Sequence, residues 1–140
     1  MQEISLDYLT VLAEQLAFVS AFLGGFSATF LGTLLAIRET KGPRTKMIVV
    51  LATSAAAFIV AVLGFTGMVV FGHPDNPIPL ASYNYMRFCG IFTFAIGIYS
   101  LLGAIGLSGY MISKKIGRTT LLIATSAAIL IFFMLFDYGS

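Results

Sequence analysis

Charge is scarce in this chain. Its 140 residues hold eight Lys or Arg and six Asp or Glu, a charged share of 10%, where a soluble domain carries about 25%. So few charges cannot cover a water-soluble globule of this length, and that class is excluded. Tryptophan is missing, and cysteine and histidine occur once each. One cysteine, Cys89, closes no internal disulfide and says nothing about redox compartment. One histidine, His73, cannot supply paired haem ligation. Most of the glycines fall inside apolar runs, and no glycine-rich phosphate-cradling loop is present; nor can a nucleophile with a neighbouring base be assembled from the sequence. No enzyme activity, cofactor, metal or nucleic-acid partner is expected. A weak surface site at His73 and Asp75 is the one exception to weigh against a plain solvated loop.

What is present is hydrocarbon. Apolar residues make up 59% of the chain, and they fall into four runs, near Leu16–Ile37, Met47–Phe71, Phe88–Ile112 and Thr120–Phe136. Each is close to the ~20 residues that cross a bilayer core. Lipid offers the backbone no hydrogen bonds, so a spanning segment is a helix or part of a closed barrel. The run MIVVLATSAAAFIVAVLGF lacks the period-two alternation of a barrel strand. The expected fold is an all-α integral membrane protein, a four-transmembrane-helix bundle forming a single domain over residues 1–140, in the bacterial inner membrane.

The few charges set the threading. Residues 38–46 hold Arg38, Lys41, Arg44 and Lys46, and residues 113–119 hold Lys114, Lys115 and Arg118. Basic residues are retained in the cytoplasm, so both segments are expected as cytoplasmic loops, with both termini outside. The N-terminal stretch MQEISLDYLTVLAEQ has no basic residue, unlike a cleaved signal. Tyr8, Tyr83, Tyr85 and Tyr138 then fall near the outer interface and Tyr110 near the inner one, the levels that tyrosine favours. Pro74, Pro77 and Pro79 make HPDNPIP a stiff, non-helical connection. The threading resembles the hairpin of rotary-ATPase membrane rings, in which a polar cytoplasmic loop joins two outward-ending helices. The carboxylate which that family carries mid-span has no counterpart in LATSAAAFIVAVLG, and membership is not inferred. No span interior holds Asp, Glu, Lys, Arg or His, which argues against proton relays and voltage sensing.

The motif ATSAA occurs at Ala52–Ala56 and again at Ala124–Ala128. At the same offset, the small residues Ala21, Gly25, Ala28, Gly32 and Ala36 of the first span meet Thr93, Gly97, Ser100, Ala104 and Ser108 of the third. The chain therefore reads either as two parallel helix-hairpin repeats or as convergent packing that mimics them. Steps of three and four put each set on one helix face. Small residues let membrane helices approach closely, so Ala21, Gly25, Ala28, Gly32, Ala36, Gly97, Ser100, Ala104 and Ser108 form the expected helix-packing stripe, with the first and third spans innermost; the stripe either seals the four-helix bundle alone or also packs against another subunit. The remaining intramembrane polarity is hydroxyl. Tyr99, Thr93 and Thr29 are the candidate polar site. The other hydroxyls read as interhelical glue, or as the lining of a solute path.

The function expected is that of a packing or assembly subunit in a homo-oligomer or larger membrane complex, with lipid and other membrane subunits as partners. The alternative is an oligomeric pore or carrier for a small or uncharged solute. The threading is open to test in a Cys89→Ala background. In intact cells an impermeant thiol reagent should label Asn76→Cys and spare Lys41→Cys; the reverse pattern would overturn the topology.

Overall fold

A computed structural model of the chain describes residues 6–37, 44–71 and 80–137. These form four α-helices: α1 (Leu6–Ala36), α2 (Arg44–Phe71), α3 (Leu80–Ser108) and α4 (Lys114–Asp137), with a 3-10 turn at Gly109–Met111 between the last two. All four are long and apolar enough to cross a membrane, and no strand is present among the described residues. The all-α four-helix membrane architecture expected from the apolar runs is the one observed. The connection HPDNPIP, His73, Asp75, Tyr138 and the greater part of segment 38–46 lie outside the described residues.

Two helices begin well ahead of the apolar runs that mark them. α1 starts at Leu6 rather than near Leu16, and α3 at Leu80 rather than near Phe88. The 31 residues of α1 rise about 46 Å, more than the ~30 Å of a bilayer core. Loss of apolar character ends a span without ending a helix, because water also tolerates a helical backbone. Glu14 and Arg87, both exposed, sit on these extensions.

The basic segment 113–119, expected as a loop, is helical from Lys114 onward. The reason is local. The chain tightens into the 3-10 turn, whose Gly109 carbonyl accepts from the amides of Ile112 and Ser113, each at 3.2 Å. The Ser113 hydroxyl then accepts from the Ile116 amide at 3.2 Å, an N-cap that starts α4 at once. Arg44–Lys46 are likewise helical, as the first turn of α2.

The chain divides into two compact units, and the boundary falls within α1, α2 and α3. The first is built from the chain up to Phe26 with Ala55–Gly97. Its core is Ala13, Ala61, Phe65 and Met68, with Leu16, Ala17, Met86 and Phe94 packed against it. Phe58 is fully buried beside it. A Cβ at Gly24 of α1 would lie 3.0 Å from Phe58 Cβ, and one at Gly97 of α3 would lie 2.8 Å from Phe58 Cε1. The Phe58 side chain therefore fills space that these glycines leave, its Cβ at Gly24 and its ring at Gly97. Phe94 meets both Phe58 and Phe65 edge-on, with ring centroids 6.0 Å apart in each pair, a favoured aromatic geometry. Further along, α2 and α3 touch backbone to backbone, since a Cβ at Gly64 would stand 3.0 Å from Gly90 Cα.

The second unit takes Ser27–Ser54 and the chain from Ile98 onward. Leu34, Met47, Leu51, Leu101, Ala104 and Ala124 are buried there. α3 and α4 meet on small residues. A Cβ at Gly106 would lie 3.2 Å from Leu121 Cδ1 and 3.3 Å from Ala124 Cβ. Thr120 donates to the Gly106 carbonyl at 3.0 Å. The Tyr110 ring packs directly on Gly117.

The first and third spans were expected innermost. Instead α2 is the most buried of the four helices and α4 the least. α2 supplies Met47, Leu51, Ser54, Ala55, Ala57, Phe58, Ala61, Phe65 and Met68 to the interior. Its interior face mixes small residues with phenylalanine and methionine, so it packs as both groove and ridge. Gly64→Ala should lower stability by about 1–3 kcal/mol, the usual cost of overpacking, because its neighbour is backbone and cannot turn aside. Gly32→Ala, in open space, should stay within about 0.5 kcal/mol or gain slightly. Denaturant titration of both variants in micelles measures the difference.

Candidate functional site

α1 carries small residues on two faces. Ser20, Gly24 and Ser27 are buried. Each precedes by one position a residue of the expected stripe, and one position turns a helix by about 100°. Ala21, Gly25, Ala28, Gly32 and Ala36 are accordingly all exposed, and a Cβ at Gly25 or Gly32 would meet nothing within 4 Å. The glycine that receives α2 is Gly24, not Gly25. Phe18, Phe22 and Phe26 form an exposed aromatic ridge on the same side of the helix.

The matching stripe on α3 has the opposite fate. Gly97 lies against Phe58, Ala104 is fully buried, and Ser100 and Ser108 are half-buried. The chain itself covers this face. The two ATSAA copies diverge in the same way. Ser54 is fully buried and its hydroxyl lies 3.1 Å from that of Ser27, with either able to donate. Ser126 is exposed and donates to its own helix at the Leu122 carbonyl, 2.9 Å away. The internal sequence correspondence is not carried into equivalent packing.

Most intramembrane hydroxyls are satisfied at home. Ser20, Thr33 and Thr53 donate to the carbonyl four residues back, at 2.6, 3.0 and 2.9 Å. Thr93 does the same to Cys89 at 2.7 Å. This is the back-bonding open to any helical Ser or Thr. It removes Thr93 from the candidate polar site as a free donor. Thr29 is exposed on α1, where its carbonyl accepts from Thr33.

Tyr99 stands apart. It lines a cleft of about 170 Å³ with Leu102 and Gly103 of α3 and Leu121, Ala124 and Thr125 of α4. Neither Thr93 nor Thr29 borders it. The Tyr99 hydroxyl is buried and has no hydrogen-bond partner among the described residues. Sequence reasoning singled out Tyr99 because a phenol cannot readily bond its own backbone. It passed over the residues that build the interior contacts: Gly24, Gly64, Gly90 and Phe58. The signal available for Gly90 was its seven-residue step to Gly97, two turns on one face of α3.

Arg44 performs a task that charge counting did not reveal. Its Nε and Nη2 donate to the Leu34 carbonyl at 3.1 and 2.5 Å. Leu34 lies in the last turn of α1, whose carbonyls have no intrahelical donor, so a cation there satisfies the helix end and complements its dipole. Among the described residues no three His, Cys, Asp or Glu side chains gather to hold a metal.

The partnerless phenol yields a sign that can be measured. Tyr99→Phe removes a buried donor without changing shape, so stability should stay level or rise by up to about 1 kcal/mol. A loss of that size in a denaturant titration would show the hydroxyl to be bonded in the working protein. Comparison of the chain with protein-family models, curated proteins and solved structures found no match.

Proposed function

We propose that this protein is a packing or assembly subunit, joining a homo-oligomer or a larger membrane complex through the outward face of α1. The observation that carries the reading is the exposure of Ala21, Gly25, Ala28, Gly32 and Ala36. Apolar side chains gain little by leaving lipid for protein, so membrane helices associate through close packing and interhelical hydrogen bonds. Small residues four apart are what such contacts use. On α3 the equivalent residues serve the chain's own fold. On α1 Gly25 and Gly32 open onto space, beside the ridge of Phe18, Phe22 and Phe26, so the surface offers both a groove and the side chains to fill one.

The reading includes a bacterial inner-membrane location, with both termini outside and the Arg38–Lys46 and Lys114–Arg118 segments in the cytoplasm. It assigns no catalytic role. A pore or carrier would need hydroxyls that converge on one path, and the back-bonded hydroxyls of Ser20, Thr33, Thr53 and Ser126 favour the subunit instead.

Mass measurement of the protein extracted in mild detergent tests the proposal. The native chain should run as an oligomer or heteromer. Gly25→Leu and Gly32→Leu should each shift it toward monomer, with dissociation at least about tenfold easier, while leaving helicity and monomer stability intact. A native monomer, or assembly indifferent to both leucines, would remove the reading. Solute leak from vesicles that hold the purified protein alone would move the assignment to the pore.

A further inference from the structure

The first turns of α4 concentrate positive charge. Lys114, Lys115 and Arg118 are all exposed, and the helical repeat puts them within about 100° of arc. None of the three side chains has a partner among the described residues. Apolar side chains are exposed beside them: Met111 and Ile112 just before the cations and Ile116 between them, with the polar Ser113 and Thr119 on either flank. Cations beside exposed aliphatic groups suit the boundary between headgroups and hydrocarbon, where a long basic side chain keeps its stem in the apolar layer and its charge in the polar one.

The arrangement is electrostatically uphill as it stands. Acidic residues are favoured in a first helical turn and cations in a last one, yet the first turn of α4 has no acidic residue. The field therefore calls for an anion from outside the described chain. The bare helix end is not what would bind it, because Ser113 already holds the Ile116 amide. The side-chain cations are the available groups. Tyr110, packed on Gly117, and Thr120, bonded to Gly106, fix this part of α4 against α3, so the three cations are presented from a braced element.

We propose that Lys114, Lys115 and Arg118 form a binding site for the headgroup of an anionic phospholipid. A lipid is the occupant that uses both halves of the surface, its phosphate on the three cations and its acyl chains along the apolar positions. α4 is also the least buried helix, and its exposed surface is mostly apolar, with Leu122, Ile123, Leu130 and Phe133 exposed and only Thr125 and Ser126 among them polar. An acidic protein segment would use the charges and leave that surface bare. The inference does not rest on the assembly reading or on which side of the membrane this end occupies.

Native mass spectrometry of the full chain, released from non-ionic micelles with phosphatidylglycerol and phosphatidylcholine of matched acyl chains, tests it. The native protein should retain the anionic lipid in preference. Each neutralised cation should cost about fivefold in that preference, and the K114Q/K115Q/R118Q triple variant should abolish it. The Lys114→Arg/Lys115→Arg variant should keep it, and about 0.5 M salt should erase it in the native protein, a readout that needs no variant to fold. Equal retention of the two lipids, an undiminished preference in the folded triple variant, or displacement of the lipid by millimolar inorganic phosphate would each overturn the proposal. So would loss of an acidic partner protein in the triple variant while its lipid preference stayed.

Discussion

The first unit turns on one side chain. Phe58 is fully buried with Gly24 of α1 against its Cβ and Gly97 of α3 against its ring. In water a buried phenylalanine is stabilised largely by leaving the solvent. In a bilayer that gain disappears, because the lipid chains are as apolar as the interior. What remains is contact, and contact requires that neighbours come close. With one glycine at its Cβ and another at its ring, Phe58 comes close to backbone on both sides, which no bulkier residue at 24 or 97 would allow. Gly64 against Gly90 applies the same principle without a ring, backbone to backbone.

The same solvent governs the polar groups. No water is at hand in the bilayer core, so a hydroxyl bonds to its own helix, bonds to a neighbour, or stays unmet. Ser20, Thr33, Thr53, Thr93 and Ser126 take the first course. Ser27 with Ser54 takes the second, and Thr120 combines the two, reaching the Gly106 carbonyl as well as those of Ile116 and Gly117 in its own helix. Back-bonding keeps a hydroxyl inside the helix that owns it, whereas the interhelical pairs fix register between helices and so carry fold specificity as well as energy. Helix ends obey the same accounting. The Leu34 carbonyl is met by Arg44, a residue that topology alone would have placed in a loop.

The existence, number and type of the helices were legible because hydrocarbon demands long apolar runs, and no other segment of the chain is long enough to compete. Helix ends were not, because polarity marks where a helix leaves lipid, not where it stops. Hence Leu6 and Leu80 precede the expected starts, and Ser113 starts α4 inside an expected loop. Facing was the deeper failure. In a soluble helix the apolar arc points inward, but a membrane helix is apolar all round, and its periodicity no longer tells inside from outside. The stripe on α1 lies on one face, and that face is exposed rather than covered by the chain's own helices. At the Gly24–Gly25 doublet the choice of residue decides the face, and residue types alone do not make it.

The contrast between α1 and α3 shows what the small stripe means. Two sets of residues that correspond at a fixed sequence offset lie in different surroundings: Gly97 and Ala104 are covered by the chain's own side chains, while Gly25 and Gly32 are open. Had each stripe existed only to close the four-helix fold, both would be covered, since uncovered glycine in a helix weakens it and returns no packing. The fold already has its α1 contact in Ser20, Gly24 and Ser27, on the adjacent face. A second run of small residues, displaced by about one position, is exposed along the same helix. Gly25 and Gly32 cost the helix stability, and on the proposed assembly reading an external helix packed against them offsets that cost.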